Sequence, residues 1–198
     1  MIIFENNSQS EPFKKIRFYF NEALKLGQDS IQAVAVSSYS VTNSLVDSRF
    51  VNLKFVDNEN FIFFTNYNSP KAIQFSEHKQ ISMLIYWSKI NVQIRLSGHI
   101  NKTNEDFNQN YFATRNTGKN ALAISSKQST IISSYDLIKN KYEETLKEKN
   151  LTECPDYWGG FSLKADSIEI WKGEKNRINL REKYISKNKA WAKYILSP

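Results

Sequence analysis

Five short runs between Ile31 and about Lys102 constrain this chain more than any other feature. Ile31–Val36, Arg49–Val56, Phe61–Thr65, Ile81–Trp87 and Val92–Ile100 are rich in β-branched and aromatic residues and are parted by turn signals. In the last run Val92, Ile94 and Leu96 fall on one side and Gln93, Arg95 and Ser97 on the other, the period of two that a half-buried strand requires. Asp57-Asn58-Glu59-Asn60 reads as a hairpin turn. Antiparallel strands this closely spaced predict a small barrel, because closure removes exposed sheet edges.

Helical spacing appears on either side of that block. Ser10 reads as an N-cap before Glu11 and Pro12, and Phe13, Ile16, Phe20, Ala23 and Leu24 recur on one face until Gly27 stops the helix. Ser69-Pro70-Lys71 opens a short helix with Pro at its favoured first position. Thr103 with Asp106 resembles a capping box for a helix to about Arg115, and Ser134 to Lys149 reads as a polar helix with Glu143 and Lys147 at i,i+4. Two further strands are expected near Phe161–Lys164 and Ile168–Trp171, and a last one from Trp191 to Leu196. With no internal repeat and no linker, the 198 residues read as one α+β domain, mainly antiparallel β, with residues 1–10 expected to be flexible.

Composition excludes several classes. The 40% hydrophobic and 14% aromatic content is too high for a disordered chain. No run of eighteen apolar residues is present, so no membrane-spanning helix is expected. The N-terminus lacks a basic n-region and a cleavage site, and Cys154 is the single cysteine, which together suggest a reducing cytoplasmic setting. The net charge of +7 is spread through mixed-sign segments, so it points to anionic small ligands and solvated surface and away from nucleic acid. His78 and His99 stand apart, and neither HExxH nor CxxC occurs, so no metal site is expected. GxGxxG, P-loop and GxSxG patterns are also absent. An enzyme built from this sequence would borrow its chemistry from an organic cofactor.

Several segments place a cation beside hydroxyl or amide groups in an otherwise apolar stretch. They include Arg49-Phe50-Val51-Asn52-Leu53-Lys54, Phe63-Phe64-Thr65-Asn66, Ser69-Pro70-Lys71 and Tyr111-Phe112-Ala113-Thr114-Arg115. Lys127-Gln128-Ser129, Trp158-Gly159-Gly160 and Glu169-Ile170-Trp171 through Arg177 to Arg181 follow further along. Singly, each has an ordinary explanation: strand cations snorkel to solvent, Tyr111 and Trp171 fill cores, and Ser69 caps a helix. In this order and spacing they resemble the pyridoxamine 5′-phosphate oxidase family along nearly the whole chain.

That resemblance implies a six-stranded FMN-binding split barrel, a homodimer with FMN between subunits, and oxidation of pyridoxamine or pyridoxine 5′-phosphate to pyridoxal 5′-phosphate. A hydride would pass to FMN, with O2 reduced to H2O2. By position it assigns FMN to Arg49, Phe50, Val51, Asn52, Leu53, Lys54, Phe64, Thr65, Lys71, Gln93, Gln128, Ser129, Trp171 and Arg181. It assigns the substrate to Lys54, Tyr111, Arg115, Lys119, Arg177 and Asn179, the last two beside the reacting carbon. Cations suit the two phosphates, and the amides of Gln93 and Gln128 suit a flavin's polar edge.

The sequence departs from the family mostly on the substrate side. Arg177-Ile178-Asn179-Leu180-Arg181 replaces Arg-Leu-His-Asp-Arg, and Lys119 replaces a serine. Pro70 and Val92 stand where arginines are usual, and the ten residues before Glu11 hold no counterpart of the family's N-terminal arm. Two alternatives therefore stay open: a related FMN oxidase acting on another ring, such as a phenazine type, or a flavin-binding split barrel without turnover.

Overall fold

Because strand side chains alternate, each strand can offer one face to a core, and six strands here close around it. The computed structural model describes residues 1–147, 150–188 and 190–198. In chain order its first elements are β1 (Ile3–Glu5), α1 (Glu11–Lys25), β2 (Ala33–Ser40), β3 (Leu45–Asp57), β4 (Asn60–Asn66), α2 (Pro70–Glu77), β5 (Gln80–Trp87) and β6 (Val92–Lys102). Three helices follow, α3 (Glu105–Thr114), α4 (Thr117–Ser125) and α5 (Tyr135–Thr145), then β7 (Trp158–Lys172), β8 (Leu180–Lys187) and β9 (Ala190–Ile195).

Strands β2, β3, β4, β7, β6 and β5 pair in that order, all antiparallel, and β5 returns to β2. The expected six-stranded barrel is thus present. Strand β7 is long enough to serve twice along one edge. Trp158 to Lys164 pairs with β4 inside the barrel, while Ser167 to Lys172 pairs with β8, which carries β9 outward.

The core follows the alternation. Val92, Ile94 and Leu96 join Ile81, Met83, Ile85, Phe61 and Phe63 inside, and Gln93, Arg95 and Ser97 point away. Helix α1 adds Phe13, Ile16, Phe20 and Ala23 to the same core. Fully burying each large side chain contributes about 1.5–3 kcal/mol, so this face fixes the helix on the barrel. Leu24, expected on that face, is exposed. No helix among the described residues is long and apolar enough to cross a membrane.

Several local expectations change. The two strands expected near Phe161–Lys164 and Ile168–Trp171 are one continuous β7. The ladder between β6 and β7 shifts register at Ser97/Gly98, where the Lys164–Ala165 backbone presses on Gly98 too closely for a Cβ. Helix α3 is capped by Asn104, whose side chain accepts from the Phe107 N–H at 2.7 Å, and not by Thr103. Ser134 does cap α5, but that helix ends at Thr145, so Lys147 lies beyond it and the expected end at Lys149 falls outside the described residues. Residues 1–10 contain β1, which lies parallel to β3 and leaves Ile2 buried.

Candidate active site

The outer side of β3 and β4, the ends of α2 and α3, and the start of α4 surround a cavity of about 380 Å³. Phe50, Val51, Asn52, Lys54, Phe64, Thr65, Lys71, Tyr111, Arg115, Lys119 and Gln128, all singled out in the sequence, line it. Thr114, Asn116 and Trp158 line it as well and had no assigned role. Trp158 opens the WGG motif, so its motif was legible and its function was not.

Local structure explains the aim of Lys54. Leu53 pairs with Phe63 and Phe55 with Ile62, so Lys54 is the extra residue of a bulge. A bulge re-aims its side chain, and Lys54 turns into the cavity while Leu53 is fully buried in the core.

The cations form two groups. In the first, Lys71 is only 7% exposed and its ammonium donates to Thr65 Oγ1 at 3.0 Å and Ser69 Oγ at 3.3 Å. Burial, and then the nearby Arg49 guanidinium, pull its pKa from 10.5 down to about 8. Arg49 sits behind the cavity wall, donating to Ser38 Oγ at 2.7 Å, Val36 O at 3.3 Å and Gln74 Oε1 at 3.2 Å. Gln128 Oε1 accepts from Thr65 Oγ1 at 3.0 Å and from the Asn66 N–H at 3.2 Å, closing this end.

The second group is Lys54, Arg115 and Lys119. Burial, then Lys119 and Arg115, lower the pKa of Lys54. The Arg115 guanidinium lies 4.4 Å above the Trp158 ring, and its Nη1 is buried without a hydrogen-bond partner. Phe64 stacks on Tyr111 at 4.1 Å and on Trp158 at 5.1 Å, with interplanar angles of 24° and 11°. These three near-parallel rings are the cavity's aromatic wall. Among the described residues no carboxylate lines the cavity, so a buried ammonium and a guanidinium with one unpartnered nitrogen both suit phosphate groups. The residues present therefore fit a phosphorylated flavin.

Other expected residues do not reach this cavity. Gln93, Trp171 and Arg181 stand side by side across β6, β7 and β8. Arg181 already gives two hydrogen bonds to Glu169 Oε1, at 3.0 and 2.9 Å, and one to Ser197 O. Arg177 and Asn179 lie on the β7–β8 connection, where Arg177 takes a positive φ of 61° and Asn179 Oδ1 accepts from the Glu174 N–H. A non-glycine residue held in that region stores strain and is a recurrent mark of functional positions. Ser129 lies outside the cavity, on the loop after α4.

A closed barrel with an outlying β8–β9 extension and an aromatic-walled, cation-lined cavity defines a split-barrel protein. Comparison with known proteins agrees. The pyridoxamine 5′-phosphate oxidase family profile matches residues 21–148, and that of the pyridoxine 5′-phosphate oxidase C-terminal dimerisation region matches residues 158–198. Pyridoxine/pyridoxamine 5′-phosphate oxidase 1 of Hydrogenovibrio crunogenus is 33% identical over 195 residues, covering 96% of this chain and 89% of that protein. The Aliarcobacter butzleri oxidase is 34% identical over 193 residues, covering 94% and 89%. The chloroplastic oxidase 1 of Arabidopsis thaliana is 32% identical over 99% of this chain, which spans 38% of that longer protein. In fold, PhzG from Burkholderia lata 383, solved with tetrahydrophenazine-1-carboxylic acid, aligns with a TM-score of 0.89 at 22% identity over 96% of this chain and 93% of that one. The chain belongs to the pyridoxamine 5′-phosphate oxidase family.

Proposed function

We propose that this protein is an FMN-dependent oxidase that converts pyridoxamine or pyridoxine 5′-phosphate to pyridoxal 5′-phosphate, with O2 as the final acceptor. The observation that carries this reading is the set of cations in one cavity that no described carboxylate lines, Lys71 at one end with Arg49 behind the wall, and Lys54 with Arg115 and Lys119 at the other. Two phosphates, one on the cofactor and one on the substrate, answer two such groups. FMN, when bound, supplies the hydride acceptor that the side chains themselves lack.

The chain's own residues then bind and orient. Lys71 holds the cofactor phosphate, with Arg49 behind it, Thr65 and Gln128 beside it and Ser129 on the loop just outside the cavity. Arg115, steadied on Trp158, and Lys54, Lys119 and Tyr111 hold the substrate phosphate, so the substrate ring is aligned before reaction. The remaining assigned residues, Gln93, Trp171, Arg177, Asn179 and Arg181, come from a second copy of the chain, which makes the working unit a homodimer. Two features support that arrangement. Gln93, Trp171 and Arg181 are neighbours on β6, β7 and β8, with Arg177 and Asn179 on the β7–β8 connection, all outside the cavity of their own chain, and Phe50, at the cavity, is 78% exposed in the single chain. A cytoplasmic location accords with the single cysteine.

An oxygen-consumption assay of the FMN-loaded protein with each phosphorylated vitamer tests the reading, following pyridoxal 5′-phosphate as it forms. Turnover is expected with at least one of them. A yellow protein that consumes no oxygen with either would refute the substrate assignment and direct the search to other ring-bearing amines or alcohols.

A further inference from the structure

Helix α3 and its C-cap deliver Tyr111 and Arg115 to the cavity. Asn108 lies three residues before Tyr111 on the same face of α3, and Arg115 is the residue that caps the helix C-terminus. Asn108 is 4% exposed and uses both ends of its amide. Its Oδ1 accepts from the Gly160 N–H at 2.8 Å and from Thr103 Oγ1 at 2.5 Å, and its Nδ2 donates to Tyr67 Oη at 3.1 Å. Tyr67 Oη and the Thr103 N–H in turn donate to Gly160 O, at 3.2 and 3.0 Å. Asn108, Tyr67 and Thr103 therefore grip both backbone groups of Gly160 on β7.

The two glycines make that approach possible. A Cβ on Gly159 would come within 2.5 Å of Asn108 Nδ2, and one on Gly160 within 2.5 Å of Thr103 Oγ1. Gly160 pairs with Phe64, and Trp158, two residues earlier, is the ring on which Arg115 rests. Rings also link α3 to the barrel: Phe112 on Trp158, Phe107 on Phe55 and Phe64, and Tyr111 on Phe64 and Phe55. Apolar contact is non-directional and tolerates sliding, whereas a hydrogen bond fixes angle and distance. A second buried amide, that of Asn120, donates to Phe112 O and Leu151 O, which ties the end of α3 to α4 and not to β7.

We propose that Asn108 is a positioning residue: through Gly160 it sets the register of α3 on β7 and so places Tyr111 and Arg115 at the substrate end of the cavity. The inference rests on the reading that those two side chains meet the substrate phosphate. Its test is pyridoxal 5′-phosphate binding to the FMN-loaded protein, measured by spectral titration beside the FMN dissociation constant and the melting temperature. Asn108→Ala should weaken pyridoxal 5′-phosphate about tenfold, and Tyr67→Phe about threefold, the scale of a small misplacement. FMN affinity should stay within about twofold in both. Asn108→Asp keeps the acceptor for Gly160 and Thr103 but loses the donor to Tyr67 and buries a carboxylate, so it should recover only part of the loss. In the Asn108→Ala/Arg115→Ala double variant the losses should not add, because one acts through the other.

Arg115→Ala separates the two ways of failing. If it leaves pyridoxal 5′-phosphate binding unchanged, the substrate-end reading falls and this inference with it. If it weakens binding while Asn108→Ala and Tyr67→Phe do not, Asn108 has no positioning role. Parallel loss of FMN and pyridoxal 5′-phosphate in the Asn108 variants would mean a merely structural role and would also overturn the proposal. Should Asn108→Ala not fold, Tyr67→Phe alone decides by the same split.

Discussion

Replacing Lys71 by methionine should stabilise the FMN-free protein at neutral pH while weakening its hold on FMN. The structure gives the size of both effects. Burial and Arg49 lower the Lys71 pKa from 10.5 to about 8, and at about 1.4 kcal/mol per pH unit the charged form costs the fold about 3 kcal/mol. Between pH 8 and 10.5 the unfolded chain holds a proton that the folded one has released, so stability rises with pH across that window. Below it the full cost is present; above it none is. Methionine removes the charge but forfeits the bonds to Thr65 and Ser69, returning about 1 kcal/mol. The net gain at pH 7 is about 2 kcal/mol, shrinking to near zero by about pH 10. Urea denaturation of both proteins at the two pH values measures it, since groups that titrate in both cancel in the difference. A difference that does not change with pH, or a variant already less stable at pH 7, would refute the reasoning. With FMN present, the same variant should bind the cofactor about 10- to 100-fold more weakly, the value of one charge-assisted hydrogen bond.

Three further outcomes are expected. Gly98→Ala should cost at least about 2 kcal/mol, because the new Cβ would meet the Lys164 carbonyl and come within 2.7 Å of Ala165 Cα, both backbone atoms; thermal unfolding reads this. Arg177→Ala should retain FMN but lose most turnover, so unchanged turnover would remove Arg177 from the reaction. Burial pushes the Glu182 carboxyl up, but Lys15 and Lys193 outweigh it and hold the pKa below its ordinary value. Its stabilisation is therefore present above about pH 4.5 and is lost as pH falls below that, and Glu182→Gln should flatten the acid limb of the stability curve measured by urea midpoints.

Strong alternation made β6 readable, and the apolar runs at Phe61–Thr65 and Ile81–Trp87 gave β4 and β5 nearly to the residue. Strand β8 escaped because Leu-Arg-Glu-Lys-Tyr-Ile-Ser-Lys has little apolar content of its own. It forms through pairing with β7 and through Glu182, which binds Lys15 of α1 and Lys193 of β9. Such a tertiary cause leaves no local signal. The same holds at the site. Ordered motifs brought out most of the cavity residues, yet the bulge that aims Lys54 is visible only in the register of β3 against β4. Trp158 as a rest for Arg115 is likewise a spatial fact.

The net charge of +7 states how many cations exceed the anions; it cannot say which of them are free. The structure divides them. Arg181 and Arg95 share Glu169, Lys15 and Lys193 share Glu182, and Arg49 has Asp47 at 3.7 Å. Lys54, Lys71, Arg115 and Lys119 have no carboxylate partner among the described residues, and all four line one cavity. Burying cations without carboxylate partners costs stability: burial lowers the pKa values of Lys71, Lys54 and Arg115, and at Lys54 the neighbouring Lys119 and Arg115 add to it. A fold keeps such a cost where an anion offsets it on binding. Two phosphate dianions carry about four negative charges at neutral pH, which matches the four cations. On the proposed reading Lys119 adds to that balance, so Lys119→Ala should lower affinity for the phosphorylated substrate.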